Sequence, residues 1–331
     1  MAEKIATRDA YGDTLAELGG ENPNIVVLDA DLSKSTKTNV FAKAFPERHV
    51  NMGIAEANMI STAAGLATCG KIPFASTFAV FASGRAWEQV RMSVCYPELN
   101  VKIVATHGGI TVGEDGASHQ ANEDIAIMRV LPNITVIVPA DAVETKKAVR
   151  AIADYVGPVY MRLGRSGVPV IFDESWEFVI GKAAIMREGK DVSIFTCGIM
   201  TAEALEAAET LAADGISAEV VNVSTIKPLD AETILGSVRK TGCAVSAEEH
   251  SIIGGLGSAI AETLIDAYPV PMERVGVSDT FTESGESGAL LKKYGMTPAD
   301  IAGAAKLAIQ HRLVLRPDTS GLRRVVQERK K

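Results

Sequence analysis

A chain of 331 residues with 47% hydrophobic, 22% charged and 5% aromatic side chains has the composition of a folded α/β protein, large enough for two domains and too apolar for disorder. Its formal charge of −8 argues against a general nucleic-acid binder, which needs a basic face to neutralise phosphates. No stretch reaches the ~20 apolar residues that span a bilayer, no apolar run follows a basic start, and Cys69, Cys95, Cys197 and Cys243 lack metal-ligand spacing. The expectation is a cytoplasmic protein with no membrane anchor and no metal site of its own.

Short β-branched runs alternate with helical stretches through the first half. Strands are expected in NIVVLDA (24–30), KIPFAST (71–77), VKIVATH (101–107), NITVIVP (133–139) and PVYMRL (158–163). Near-continuous apolar runs of this kind belong to a parallel sheet buried on both faces. Apolar residues at helical spacing predict helices from Ala55 to Ala67, Ser83 to Cys95 and Ala140 to Tyr155. After Arg165 the periodicity loosens through SGVPVIFDESWEFVIGK, which reads as a linker over 166–189. A second alternating series follows: DVSIFTCG (191–198), a helix over 201–213, SAEVVNVS (217–224), CAVSAEE (243–249) and a helix opened by GGLGSA (254–259). The expected fold class is α/β, with two consecutive three-layer α/β domains of mainly parallel sheets over 1–165 and 190–312. Residues 313–331 hold six basic and two acidic side chains and read as a solvated basic tail.

The densest polar cluster, ATHGGITVGEDGASHQ (105–120), follows directly on a predicted buried strand. Ligands of parallel sheets gather at the carboxyl ends of strands. His107 and His119 lie here beside Glu114 and Asp115, and either imidazole can act as acid, base or phosphate partner near neutral pH. The plainer alternative is a surface loop whose polar groups satisfy backbone. The histidines lack the HExxH spacing and have no cysteine nearby, so metal binding is the weaker reading. Glu56 opens the 55–67 helix. An acid in a first turn is favoured by the helix dipole without any function; one flanked by Ile54, Met59 and Ile60 would also be desolvated and suited to proton transfer. The residues alone leave both readings open.

In order along the chain, ATR (6–8), DADLSKS (29–35), GIAE (53–56), TF (77–78), ATH (105–107), GEDGASHQ (113–120), LPN (131–133) and LGR (163–165) resemble the pyrimidine-binding domain of transketolases. Residues 190–312, with EEHSIIGGLGS and FTESGESGALLKKYGM, resemble the transketolase C-terminal domain. The chain therefore resembles the C-terminal half of a split transketolase. The resemblance implies that Glu56 hydrogen-bonds N1′ of the aminopyrimidine of thiamine diphosphate, favouring the 4′-imino tautomer that removes the thiazolium C2 proton. Phe78 and Phe81 match aromatics that pack on the pyrimidine. Asp31 and Leu32 match residues beside the cofactor, Leu32 propping its bent conformation. Asp115 matches the acid that reads a sugar hydroxyl, and His119 an active-site histidine near cofactor and donor. Arg8, Ser35, His107 and Arg165 match the group that grips the terminal phosphate of the sugar, a task for which arginine forks are suited. The implied catalytic set is Glu56, His107 and His119.

Departures shape the expectation as well. Gly84 replaces a family aromatic that lines the pyrimidine pocket, and Ala57 stands where His or Gln often follows the glutamate. No GDG followed by an Asn pair, the family signature that presents Mg2+ to the diphosphate, occurs; the GEDG at 113–116 belongs to the substrate loop. The resemblance thus implies an N-terminal partner subunit that holds the diphosphate and Mg2+, a shared thiamine diphosphate and a heterotetramer of two copies of each chain. The implied reaction moves a glycolaldehyde unit from a ketose phosphate such as xylulose 5-phosphate to an aldose phosphate such as ribose 5-phosphate. Competing readings are a 1-deoxy-D-xylulose-5-phosphate synthase, a 2-oxo acid dehydrogenase beta subunit, and a non-catalytic protein binding an anion at GGLGSA. The phosphate-gripping set and GEDGASHQ favour transketolase, and GGLGSA is better explained by tight strand-to-helix packing.

Overall fold

The structure is a computed structural model and describes residues 3–315. In chain order the strands are β1 (Lys4–Ala6), β2 (Ile25–Asp29), β3 (His49–Asn51), β4 (Ile72–Phe78), β5 (Lys102–Thr106), β6 (Thr135–Ile137), β7 (Val159–Arg162), β8 (Gly167–Pro169), β9 (Ala184–Arg187), β10 (Val192–Thr196), β11 (Ala218–Asn222), β12 (Thr225–Lys227), β13 (Ala244–Ser251) and β14 (Met272–Val277). The first sheet runs β12-β6-β7-β5-β4-β2-β3 and is parallel except at β12, which lies antiparallel to β6. The second runs β14-β13-β10-β11-β9 and is parallel except at β9.

Why the central strands read as unbroken apolar runs is plain from their two faces. Successive side chains of a strand point to opposite sides. Val26 and Leu28 pack with Met59, Ile60 and Ala63 on one side of the first sheet, while Ile25 and Val27 pack with Tyr11, Leu15 and Phe41 on the other. Val104 and Met161 join the second group, and Ile103 and Tyr160 the first. Helices cover both faces of these central strands, so neither face is left open to water.

Two segments differ from the periodic expectation. The helix expected over 83–95 is broken into Ala79–Gly84, a single turn at Trp87–Gln89 and a π-helical turn over Val90–Cys95. The wider turn lets Val90, Val94 and Cys95 all reach the core. The stretch 166–189 carries β8, which pairs with β1, and β9, which edges the second sheet. Asp141 ties this stretch to the first domain: it caps the helix Ala142–Asp154 by accepting from Glu144 N at 2.8 Å, and its other oxygen accepts from Ile171 N and Phe172 N at 2.7 and 2.8 Å. The last helix, Pro298–Leu315, passes the expected end of the second domain by three residues; the remainder of the predicted tail lies outside the described residues. Among the described residues no helix is long and apolar enough to cross a membrane.

GGLGSA opens the helix Leu256–Ala267, and Glu248 of β13 fills the start of that helix, accepting from Leu256 N at 2.7 Å and Gly257 N at 2.8 Å. A Cβ on Gly255 would stand 2.0 Å from Glu248 Oε2. The glycines serve close strand-to-helix packing, and the anion held at this helix end is the chain's own carboxylate.

Candidate active site

Strands β2, β3, β4, β5 and β7 are parallel neighbours or near neighbours, so their carboxyl ends open on one edge of the sheet. Asp31 and Leu32 follow β2, Glu56 follows β3, Phe78 ends β4, His107 directly follows β5, and Arg165 follows β7. Arg8 reaches the same edge from the helix Thr7–Glu21.

Glu56 is the first residue of the helix Glu56–Thr68 and is 4% exposed. Met59 and Ile60 are fully buried beneath it, whereas Ile54 is 77% exposed, so the apolar flank is one-sided. Arg85 donates to Glu56 Oε1 at 3.0 Å, and its guanidinium lies 3.9 Å from the centroid of the Phe81 ring. Sequence reasoning missed Arg85. The available signal was its spacing, four residues after Phe81 and therefore on the same helical face.

Phe78 and His107 stack with ring centroids 3.8 Å apart and planes 21° apart, and Phe81 lies parallel to Phe78 at 5.7 Å. His119 meets Phe78 and Phe81 edge-on at 6.1 and 5.4 Å. Four of the expected residues thus form one aromatic wall. Gly84, at the end of the same helix, has open space where a side chain would stand, and Ala57 is half-buried beside Glu56.

The protonation of His107 follows from its partners. Arg8 Nη1 lies 3.3 Å from its Nε2, and a guanidinium can only donate. Nε2 is therefore the bare nitrogen, and Nδ1 carries the proton, 2.8 Å from Thr106 Oγ1. Burial, reinforced by Arg8, Arg165 and His119, pulls the pKa of His107 down to about 3, so the ring is neutral. The residue adopts φ 60°, which swings the imidazole back over Phe78.

Arg8 also donates to the backbone carbonyl of Ser35 at 3.0 Å, so Ser35 joins through its main chain. The Nε of Arg8 is buried and has no partner among the described residues. Arg165 donates to Glu114 Oε2 at 2.7 Å and to the carbonyl of Val112. Arg8, Ser35, His107 and Arg165 are therefore gathered, with Glu114 resting on one of the two arginines.

Asp115 is the exposed last residue of the otherwise mostly buried 3-10 turn Ile110–Asp115, and Asp31 is exposed, with φ 63°, accepting from Asn51 Nδ2 at 3.1 Å. Both face solvent rather than the aromatic wall. Leu32 is half-buried and donates its N–H to Asp29 Oδ1 at 2.7 Å. Asp29, a second residue that sequence reasoning passed over, is fully buried and also accepts from the hydroxyls of Thr36 and Thr38 at 3.1 Å each. Burial raises its pKa, and these donors hold the turn that presents Asp31 and Leu32.

Comparison with known proteins identifies the family. The family described as "Transketolase, pyrimidine binding domain" matches residues 3–170, and "Transketolase, C-terminal domain" matches residues 181–301. A chain of Methanocaldococcus jannaschii provisionally named transketolase C-terminal section is 54% identical over 89% of this chain and 93% of its own length. The 6-deoxy-6-sulfo-D-fructose transketolase subunit SqwH of Clostridium sp. (strain MSTE9) is 49% identical over 90% of this chain and 92% of its own. A solved structure described as "Split gene transketolase, inactive beta4 tetramer" is 60% identical and covers 93% of this chain and 99% of that one, with a TM-score of 0.88. Matched in both domains and along nearly its whole length, the chain belongs to the transketolase family, as the C-terminal half of a split transketolase.

Proposed function

We propose that this chain supplies the pyrimidine-binding and sugar-binding half of a thiamine diphosphate-dependent transketolase, which moves a two-carbon unit from a ketose phosphate to an aldose phosphate. The observation that carries the reading is the convergence, on one sheet edge, of a buried carboxylate, an aromatic wall, two imidazoles and an arginine pair. The residues fit a planar, protonable ring. Phe78 and Phe81 offer a wall, and Glu56 is a buried acceptor already taking one N–H from a planar cation. When bound, thiamine diphosphate supplies the nucleophilic carbon needed to break and re-form the bond beside a ketose carbonyl.

The chain's own residues then have separate tasks. Glu56 would accept from the proton-bearing N1′ edge of the ring, with Leu32 and the solvent-facing Asp31 as the residues that would hold its flank. The Nδ1 of His119 is engaged by Ser118 Oγ at 2.9 Å, which fixes the imidazole and leaves Nε2 for a sugar oxygen. His107, neutral, aims Arg8 through its bare Nε2. Arg8, with its unpartnered Nε, and Arg165 bind the terminal phosphate, which displaces Glu114 from Arg165. Asp115 reads a hydroxyl at the solvent side.

Among the described residues no group of three or more His, Cys, Asp or Glu is arranged to hold a metal. In this reading Mg2+ and the diphosphate belong to an N-terminal partner subunit, in a cytoplasmic heterotetramer of two copies of each chain. That the similar split gene transketolase is described as an inactive beta4 tetramer supports that requirement.

The test is transfer from xylulose 5-phosphate to ribose 5-phosphate by the purified pair of chains with thiamine diphosphate and Mg2+. Absence of transfer, with pyruvate consumed instead, would sink the reading. Glu56→Gln in that complex is expected to lower turnover by roughly 10²- to 10⁴-fold while the circular dichroism is unchanged. An unaltered turnover would return Glu56 to the role of a dipole-stabilising acid. The arginine pair also suits a sulfonate, and the name of the Clostridium relative gives reason to include 6-deoxy-6-sulfofructose among the donors tried.

A further inference from the structure

The loop that carries His107, Asp115 and His119 is held from the other domain. Glu249, at the end of β13 and 4% exposed, accepts the N–H of Thr111 through Oε1 at 2.6 Å. Ser287 Oγ donates to the carbonyl of the same Thr111 at 3.1 Å. Gln120 Nε2 donates to Glu283 O at 3.0 Å, Thr282 Oγ1 donates to Gln120 Oε1 at 2.5 Å, and Asn122 Nδ2 donates to Thr282 Oγ1 at 3.1 Å. Ser251 N closes the far end on Asn122 O at 2.7 Å. Beneath the loop, Arg162 donates to Glu249 O at 2.8 Å and to both oxygens of Asp124 at 3.1 and 2.9 Å.

The glycines of the loop mark the same contact from the other side. Gly109, Gly113 and Gly116 have φ of 77°, 82° and 72°. A Cβ on Gly109 would stand 2.2 Å from Glu249 Cδ, one on Gly113 3.2 Å from Gly285 O, and one on Gly116 2.3 Å from Ser284 Oγ. All three left-handed glycines lie where the C-terminal domain presses. A glycine-rich loop is entropically costly to order, and hydrogen bonds from a rigid neighbour offset that cost.

We propose that the C-terminal domain is the brace of the sugar-facing loop, with Glu249 and the segment Thr282–Ser287 fixing the backbone of residues 109–122 and thereby the placement of His107, Asp115 and His119. Glu249 is a positioning residue, acting on the sugar through Thr111 and the loop. The proposal rests on the transferase reading above for its kinetic consequence and on geometry alone for its mechanical one. The bland competitor is an interdomain seam that stabilises the chain without bearing on substrate.

The experiment has two readouts. In the isolated chain, Glu249→Ala and Ser287→Ala should each speed hydrogen exchange at the amides of 109–122 by about tenfold or more, while β2 and β4 keep their protection. In the complex with the partner chain, Glu249→Ala should raise the donor KM about tenfold with thiamine diphosphate affinity changed less than about twofold, and Glu249→Gln, which keeps an acceptor for Thr111 N–H, should restore KM to within about threefold. Unchanged exchange in Ser287→Ala overturns the brace, as does an equal loss of cofactor affinity and donor affinity or a glutamine variant no better than alanine. A wild-type complex with no transfer activity would sink the preceding reading instead, and the exchange readout would still judge the brace.

Discussion

His107 illustrates how much of the site's electrostatics is set by one contact. With its folded pKa drawn to about 3 and an unfolded value near 6.5, it binds fewer protons folded than unfolded between those limits. Its contribution to stability is therefore complete above about pH 6.5 and is lost as the pH falls toward 3. His107→Gln should flatten the acid side of the urea-unfolding free energy measured from pH 7 to pH 4, and wild-type imidazole resonances should show one histidine that does not titrate in that range. Arg85 makes a second residue-scale case. It is half exposed while Glu56 is buried, so the pair is worth less than a fully desolvated one. Arg85→Met is expected to cost about 1 kcal/mol in urea unfolding. Both contacts explain where sequence reading stopped. Glu56, Phe78 and His107 stand in recognisable motifs, whereas Arg85 and Glu249 matter through a single neighbour, Glu249 acting across 138 residues of chain on Thr111.

At the scale of elements, legibility tracked burial. β2, β5, β7 and β10 are buried along their whole length, and their β-branched runs announce them. β1, β3, β8 and β12 are three residues each, with polar or proline content, and exist because a neighbouring strand offers hydrogen bonds. No local pattern encodes such a partner. The helix Ala142–Asp154 shows the same division: its apolar face is periodic, but the fully buried Asp141 that caps it also receives Ile171 N and Phe172 N from a stretch that looks like a linker. Asp141→Ala removes acceptors from three buried or half-buried amides and should destabilise the chain by about 2 to 3 kcal/mol in thermal or urea unfolding, with Asp141→Asn milder. A loss of only a few tenths would show that the stretch 166–189 holds its place without this anchor.

Across the whole molecule the seam between domains combines a shared apolar cluster, in which Phe195, Val221 and Leu256 join Met59, Ile125 and Met128, with a set of buried polar groups. Glu144, 1% exposed, accepts from Ala140 N at 2.7 Å and from Asn222 Nδ2 of the second sheet at 2.9 Å. Burial raises its pKa to about 7, so the folded chain holds this proton more tightly than the unfolded one. The associated stability is complete below the ordinary carboxyl range and fades as the pH rises through about 7. Glu144→Gln should therefore gain on wild type between pH 5 and pH 8, by an amount on the order of 2 kcal/mol in urea unfolding. A constant difference across that range would place the titration elsewhere.

The crossing of β12 into the first sheet has a consequence for synthesis. Five of the seven strands of that sheet lie before residue 140 and six before residue 165, yet the open side of β6 is covered only by Thr225–Lys227. A nascent chain thus shows the ribosome's surroundings an unpaired strand for on the order of ten seconds at ordinary elongation rates. Release of a fragment ending near residue 170 should yield a protein that self-associates through β6 and remains insoluble without a chaperone, although all six parallel strands of the sheet are present. The second domain, in this light, finishes the first one's fold as it emerges from the tunnel.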